Sequence, residues 1–475
     1  MTRSVPPLGP SPDELAAAFA RLVETALERA ERGGEAPVIR QADPETLAAL
    51  AAPPPAAGRA LDEALARLDA ALSSGMNTDH PRFFAFIPSP ASPLSWLGEL
   101  AASIHNQHLG AARQSEGATA IERGLIRWLA GEAGMPEGAG GLFVSGGSIA
   151  NLTALTAARD QMLVEDERAQ GTAYVTAETH ASVAKALRII GLTDRQIRVA
   201  PVDGERRMDV AGLARVIAED RAAGLKPFVV AATAGTTNTG AIDPLPEIAD
   251  LCEREGLWMH VDGAYGASAL LSPAHRDLLE GVGRADSLSW DAHKWLFQTY
   301  GCGVALLRDA SLLAPSFSLS ADYLRDGDAV GADPNFWDLG PELTRSARAV
   351  RLWLTLQAMG RDGMAAAIAH GFALAEATER AVRETPDWLV ASPARMAITA
   401  FRYVPEGLAT DTADAINAAA ARRLMEEGYA AVGATRLDGR VALRVCAINP
   451  RATETDMRET IRRLDGIARD LRGAV

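Results

Sequence analysis

The sequence predicts an α/β protein: a mostly parallel central sheet wrapped by helices, with a helical arm before it and a small α+β unit after it. Three observations carry this. From Leu142 onward, short apolar runs alternate with helical stretches, and a parallel strand reaches its neighbour only through such a crossover. Ahead of that region lie two amphipathic helical segments separated by prolines. After Leu343 a long helical stretch leads into two separate apolar strands and a last helix.

Taken in order, Ser11-Pro12-Asp13-Glu14 supplies an N-cap, a first-turn proline and acids near the positive helix end, which predicts a helix from Pro12 to about Arg32. Gly33-Gly34 stops it. Ala51 to Gly58, with prolines at 53, 54 and 55, is a stiff connector, and a second helix runs through LDEALARLDAAL to Ser73-Ser74-Gly75. Neither helix can bury its apolar face alone, so the arm is expected to pack on the main body or on a partner subunit. GLFVS, AYVTA, QIRVAPV, FVVAATAG, LWMHVDGAY, DSLSWDAH and CGVALLR read as buried strands, with helices between them. In the tail, LTRSARAVRLWLTLQAMG reads as a helix, AITAFRYV and VALRVCAI as strands, and a final helix starts near Thr455. The expected division is an arm over 1–80, a large α/β domain over 81–342 and a small α+β domain over 343–475.

Composition narrows the function classes. The 475 residues carry 47 Lys and Arg against 61 Asp and Glu, a formal charge of −14, which argues against nucleic acid as a partner because no cationic surplus neutralises phosphates. A hydrophobic fraction of 48% is ordinary for a globular enzyme. Cys252, Cys302 and Cys446 are odd in number and far apart, so neither a disulfide framework nor a CxxC metal site is expected. No apolar run reaches the ~18 residues of a spanning helix, and the first residues hold no signal-peptide core. These readings predict a soluble cytoplasmic enzyme without a membrane or nucleic-acid partner.

Chemistry-bearing residues fall at the carboxyl ends of the expected strands. Asp291-Ala292-His293-Lys294-Trp295 places a lysine just after a buried strand. Either its amine reaches solvent or a carboxylate, or burial keeps it unprotonated enough to attack an aldehyde as a Schiff-base lysine. Asp262, in His260-Val261-Asp262-Gly263-Ala264-Tyr265, ends another strand and reads as a cap, an ion-pair partner or a ligand. Ser145-Gly146-Gly147-Ser148 joins a strand to a helix whose N–H groups can hold a phosphate; it has neither the GxGxxG nor the Gly-Lys-Ser/Thr spacing of nucleotide sites. His180 stands at a strand-to-helix junction, and Ala234-Gly235-Thr236-Thr237 is a small, hydroxyl-rich strand end. That edge is where open α/β sheets bind ligands. No HxxxH, HExxH or cysteine cluster supports a metal site, and none is expected.

Together with His80-Pro81-Arg82-Phe83-Phe84-Ala85-Phe86 and Thr179-His180-Ala181-Ser182-Val183, these motifs give the chain its resemblance to the group II pyridoxal-phosphate-dependent amino-acid decarboxylases. The resemblance implies pyridoxal 5'-phosphate as cofactor, the aspartate-aminotransferase type of fold (fold type I), and a homodimer with active sites at the subunit interface. It implies that Lys294 carries the cofactor as a Schiff base, that Asp262 pairs with the pyridine nitrogen and that His180 stacks over the ring. Thr237 and Ala264 would lie close to it, Gly147 and Ser148 would hold the phosphate, and His293 would assist proton movement beside the lysine. The arm would find its apolar partner in the second subunit.

Two departures bear on the reaction. Asp291 stands where the family often has a phosphate-facing Asn, so a carboxylate there points away or weakens phosphate affinity unless a cation compensates. The loop tyrosine that returns a proton to the substrate carbon in aromatic amino-acid decarboxylases aligns with Pro334, in Asp333-Pro334-Asn335-Phe336-Trp337; Tyr323 lies in the same loop. Members lacking that tyrosine can yield an aldehyde. Phe86, Ile87 and Pro88, with Phe83 and Phe84, form an apolar wall that fits an aromatic substrate or simply packs the core. His108, in Asn106-Gln107-His108-Leu109-Gly110, stands for a polar substrate end or a different pocket shape. Arg444 serves the substrate carboxylate or the domain interface. The activity this predicts is α-decarboxylation of an L-amino acid, aromatic first, to the amine and carbon dioxide. The alternatives are oxidative deamination to an aldehyde and transamination.

Overall fold

A computed structural model describes residues 9–319 and 334–474. Its core is a seven-stranded sheet in the order Gly140–Val144, Gly303–Leu307, Ser287–Asp291, Trp258–Asp262, Lys226–Thr233, Gly171–Val175, Ile197–Val199. Only Gly303–Leu307 runs against its neighbours; the other pairs are parallel, so the mostly parallel sheet expected from the sequence is present. Every residue of Gly140–Val144, Gly171–Val175, Trp258–Asp262, Ser287–Asp291 and Gly303–Leu307 is buried. Strands covered on both faces need unbroken apolar runs rather than alternation, which is why these were readable. Val144, Thr233, Asp262 and Asp291 therefore end at one edge of the sheet.

A second, four-stranded antiparallel sheet has the order Trp388–Arg395, Ile398–Tyr403, Arg440–Cys446, Gly433–Leu437. The helices Thr410–Glu426 and Glu454–Gly473 cover it with the apolar side chains of Ile416, Leu424, Ile461 and Leu464. Its two outer strands were not expected from the sequence. Gly433–Leu437 is mostly uncovered, and Trp388–Arg395 shifts register twice, so neither shows a continuous apolar run.

The helix Ala349–Glu384 breaks at Gly360 (φ 71°, ψ 172°). It begins six residues later than Leu343, because the chain before it is held irregular by Arg345, whose guanidinium donates to the carbonyls of Leu109 and Phe143. This helix packs on the helix Pro93–His105, which the sequence reading did not assign, and does so closely: a Cβ at Gly98 would meet Arg351 Cα at 2.7 Å. The helix Glu116–Glu132 was likewise not assigned.

The arm's first helix is Pro12–Arg32, closed by a capping box between Ser11 and Glu14, and Leu61–Leu72 is its second long helix. The strand pair Ile39–Arg40 and Gly75–Met76 closes the arm. Val38 N–H donates to Gly428 O (2.9 Å), and Gly34 O accepts from Arg82 Nη2 (3.0 Å), fastening it to the body. Cys252, Cys302 and Cys446 are free and buried. Among the described residues no helix is long and apolar enough to cross a membrane.

Candidate active site

The carboxyl edge of the large sheet builds a cavity of about 530 Å³ lined by Gly147, Ser148, His180, Ala264, Asp291, His293 and Lys294, together with Tyr300 and neighbouring small residues. Lys294 follows the strand Ser287–Asp291 on a turn whose flanking Ala292, Trp295 and Leu296 are fully buried, so packing on either side leaves His293 and Lys294 facing the cavity. Its Nζ stands 3.0 Å from Asp291 Oδ2. Ser89 Oγ donates to the carbonyl of His293, tying the Phe83–Ser89 segment to the residue before the lysine.

His293 places Nδ1 3.0 Å from the carbonyl of Cys302. A carbonyl only accepts, so the neutral ring carries its proton on Nδ1 and leaves Nε2 as an acceptor, 3.8 Å from Asp291 Oδ2. Burial lowers the His293 pKa below the ordinary imidazole value, against the opposing pull of Asp291, and so holds that acceptor ready.

The strand Gly140–Val144 turns through Ser145 and Gly146 into the helix Gly147–Met162. The N–H groups of Gly147 and Ser148 have no intrahelical acceptor and point out of the helix end, while that of Ile149 donates to Gly146 O (2.9 Å). Glycine is required by close approach: a Cβ at Gly147 would lie 2.8 Å from Asp291 Oδ2, and one at Gly303 2.7 Å from Asp291 Oδ1.

Asp262 is 4% exposed and held by three donors. Oδ1 accepts from Ala264 N–H (3.1 Å) and Ser289 Oγ (3.2 Å), and Oδ2 from Asn151 Nδ2 (3.2 Å). Asn151 also donates to Ser182 Oγ (3.0 Å), which meets His180 Nδ1 at 2.7 Å. His180 caps the helix Ala181–Ile189, its Nδ1 accepting the N–H of Ser182, so its own proton sits on Nε2. Behind Asp262, His260 puts Nε2 3.0 Å from Asn151 Oδ1 and Nδ1 2.9 Å from Ser287 Oγ. Desolvation pulls its pKa down to about 4, leaving it neutral.

Sequence reasoning gave no role to Asn151, Ser182, Ser287 or Ser289. The available signal was a serine at alternate positions of one strand, which puts both on the face that Asp262 needs. Other expected site residues do not line this cavity. The Thr237 carbonyl accepts from Arg444 Nη1, and Arg444 is 6% exposed on the strand Arg440–Cys446, so it bridges the two sheets. Phe86 is 63% exposed with φ 56°, its ring 6.5 Å from that of Phe83; Ile87 is half-buried and Pro88 buried. His108 accepts Gly110 N–H on Nδ1 (3.0 Å), its ring edge-on to Trp337 at 6.4 Å. Pro334 accepts Arg123 Nη2 on its carbonyl (3.0 Å). Tyr323 lies outside the described residues.

A family model described as the pyridoxal-dependent decarboxylase conserved domain matches residues 44–404. The chain is 41% identical over 397 residues to the aromatic-L-amino-acid decarboxylase of Bacillus atrophaeus, covering 83% of this chain and 82% of that one. It is 37% identical over 421 residues to the L-2,4-diaminobutyrate decarboxylase of Rhizobium meliloti (strain 1021), covering 88% and 84%. Among solved structures, Oryza sativa TDC with PLP and tryptamine superposes with a TM-score of 0.92 at 28% identity, over 98% of this chain and 99% of that one. Mouse CSAD superposes with a TM-score of 0.90 at 27% identity, over 97% and 99%. The architecture is fold type I, and the chain belongs to the pyridoxal-phosphate-dependent amino-acid decarboxylases.

Proposed function

We propose that this protein decarboxylates an aromatic L-amino acid at Cα, as a homodimer, with pyridoxal 5'-phosphate carried on Lys294. The observation that carries the site assignment is one cavity edge that unites a lysine amine, an open helix N-terminus and, behind Ala264, a carboxylate held by three donors. Those groups match the aldehyde, the phosphate and the ring nitrogen of the cofactor, and the glycines at 147 and 303 leave no Cβ in the way. When bound, the cofactor supplies a ring that accepts the electron pair left on Cα as carbon dioxide departs.

The chain's own residues then have separate tasks. Gly147 and Ser148 would hold the phosphate through backbone N–H groups. Asp262, kept in one orientation by Asn151, Ser289 and Ala264, would keep a proton on the ring nitrogen. His180 would cover the ring, presenting its Nε2–H to the cavity. His293, neutral with a free Nε2, would accept and return protons beside Lys294. The aromatic preference rests on a lining that contains no arginine among the described residues to meet an acidic side chain; the Phe86–Pro88 segment, tied to His293 through Ser89, stands outside that lining. The likeness to the Bacillus enzyme and to the tryptamine-bound rice structure supports it.

The homodimer is supported by Leu15, Leu22, Val23 and Leu27 on the arm's first helix and Leu97, Leu100 and Ile104 on the helix Pro93–His105, all exposed in one chain. The three free, buried cysteines support a reducing compartment, the cytoplasm. A second reading comes from Pro334, which has no proton to give where the family places a tyrosine: release of an aldehyde instead of the amine. One assay decides. The cofactor-loaded protein is incubated with tryptophan, tyrosine, phenylalanine, 2,4-diaminobutyrate and glutamate while carbon dioxide, amine, aldehyde and hydrogen peroxide are counted. Amine equal to carbon dioxide, with an aromatic substrate turned over fastest, is expected. Aldehyde with peroxide moves the assignment to the second reading, and fastest turnover of diaminobutyrate or glutamate removes the aromatic preference.

A further inference from the structure

Asp291 is 2% exposed, yet one of its carboxylate oxygens, Oδ1, has no hydrogen-bond partner. The other, Oδ2, pairs with Lys294 Nζ at 3.0 Å. The carboxylate is pressed against the first turn of the helix Gly147–Met162: an added Cβ on Gly147 would sit 2.8 Å from Oδ2, and one on Gly146 3.8 Å from Oδ1. A helix N-terminus attracts one anion well. Here an anion built into the chain already occupies that field, and an unsatisfied carboxylate oxygen in a buried setting is costly to keep.

The same helix end is the seat assigned above to the cofactor phosphate, and this inference rests on that assignment. A phosphate brought there meets the Asp291 charge at close range, where water screens it poorly. The ammonium of Lys294 offsets Asp291 before the cofactor arrives, but that amine is the group the cofactor takes up. Of the other titratable groups that line the cavity, His180, His293 and Tyr300, His293 stands beside the carboxylate with Nε2 3.8 Å from Oδ2, and burial lowers its pKa, so it supplies no fixed cation.

We propose that Asp291 is a built-in competitor for the phosphate seat. In the cofactor-free protein it lies against the helix N-terminus and holds Lys294. On loading, its charge opposes the phosphate, so the cofactor is bound more weakly and released more readily than the same seat would allow. Occupancy of the enzyme then follows the free cofactor concentration.

The test uses full-length protein stripped of cofactor. Pyridoxal 5'-phosphate is titrated in, with binding followed by the absorbance of the protein-bound cofactor and by quenching of tryptophan fluorescence. Inorganic phosphate alone, read by the shift in Tm of the cofactor-free protein, serves as a second probe. Asp291→Asn keeps the shape and removes the charge; Asp291→Ser provides a smaller replacement should the first fold poorly. The expected result is a cofactor Kd lowered about tenfold or more, with a larger Tm gain from inorganic phosphate than in the wild type. Equal or weaker cofactor binding in the folded variants overturns the proposal while leaving the Lys294 site intact. A wild-type protein that takes up no cofactor overturns the site assignment itself.

Discussion

At the residue scale, the site depends on side chains whose protonation is dictated by what they face. His293 meets a carbonyl, which only accepts, and so presents a bare Nε2 to the cavity. Lys294→Ala removes the amine that the cofactor needs. We expect the absorbance of the bound cofactor to vanish and carbon dioxide release to fall to the level seen without protein, measured on cofactor-saturated enzyme. His80 gives a pH dependence. Burial, reinforced by the charge of Arg82, lowers its pKa from 6.5 to about 4. The unfolded chain takes up this proton near 6.5 while the folded chain refuses it until about 4, so stability is full above pH 6.5 and drains away as the pH falls toward 4. His80→Asn retains an acceptor for the N–H of Arg82, which His80 Nδ1 accepts at 2.9 Å. It should flatten that acid limb by on the order of 2 kcal/mol, read from denaturant melts at pH 7 and pH 4.5.

At the scale of elements, the strands that carry the site are held in place by a buried ion pair. Arg345 Nη2 reaches Glu122 Oε1 at 2.5 Å with both side chains fully buried, and the same carboxylate accepts Phe143 N–H at 2.9 Å. Arg345 also lies over the ring of Phe336 at 4.6 Å. This bracket joins the helix Glu116–Glu132, the strand leading to Gly147 and the segment after the 320–333 stretch. Arg345→Met leaves Glu122 buried and uncompensated and should cost about 3–5 kcal/mol in urea unfolding. Adding Glu122→Gln, which keeps an acceptor for Phe143, should recover more than half of that loss. The helix Pro12–Arg32 was legible from four residues, because capping is a local bargain between neighbours. The outer strands Trp388–Arg395 and Gly433–Leu437 were not, although each pairs with its hairpin neighbour, because a half-exposed edge strand carries no continuous apolar run to mark it.

At the scale of the whole molecule, Arg444 and the Phe83–Ser89 segment join the two sheets around the cavity. The Arg444 guanidinium donates to Thr237 O, Cys446 N–H donates to Phe84 O at 3.0 Å, and Ser89 reaches His293. The apolar residues of the arm face outward in one chain, and a second copy is the occupant we assign to them. Light scattering after size-exclusion chromatography should give twice the chain mass for the wild type, and one chain mass for the double variant Leu22→Glu, Leu27→Glu. A monomeric wild type would remove the dimer from the proposal.

By itself the sequence determined the α/β class, the segments that form the large sheet, the family and the residues at the strand ends, although Ile197–Val199, read as buried, is a half-exposed edge strand. These are legible because a strand buried on both faces must be continuously apolar, and a parallel sheet must place its chemistry at one edge. Only the tertiary structure decided what those residues do to one another. Asn151 became the hinge between Asp262 and His180, Arg444 was drawn to the Thr237 carbonyl, and Asp291 faced the helix end where the sequence left its direction open. The physical reason is common to all three. An apolar residue is placed mainly by its burial, whereas a polar one acquires its role from the partners it meets, and several of those here lie dozens to hundreds of residues away in the chain.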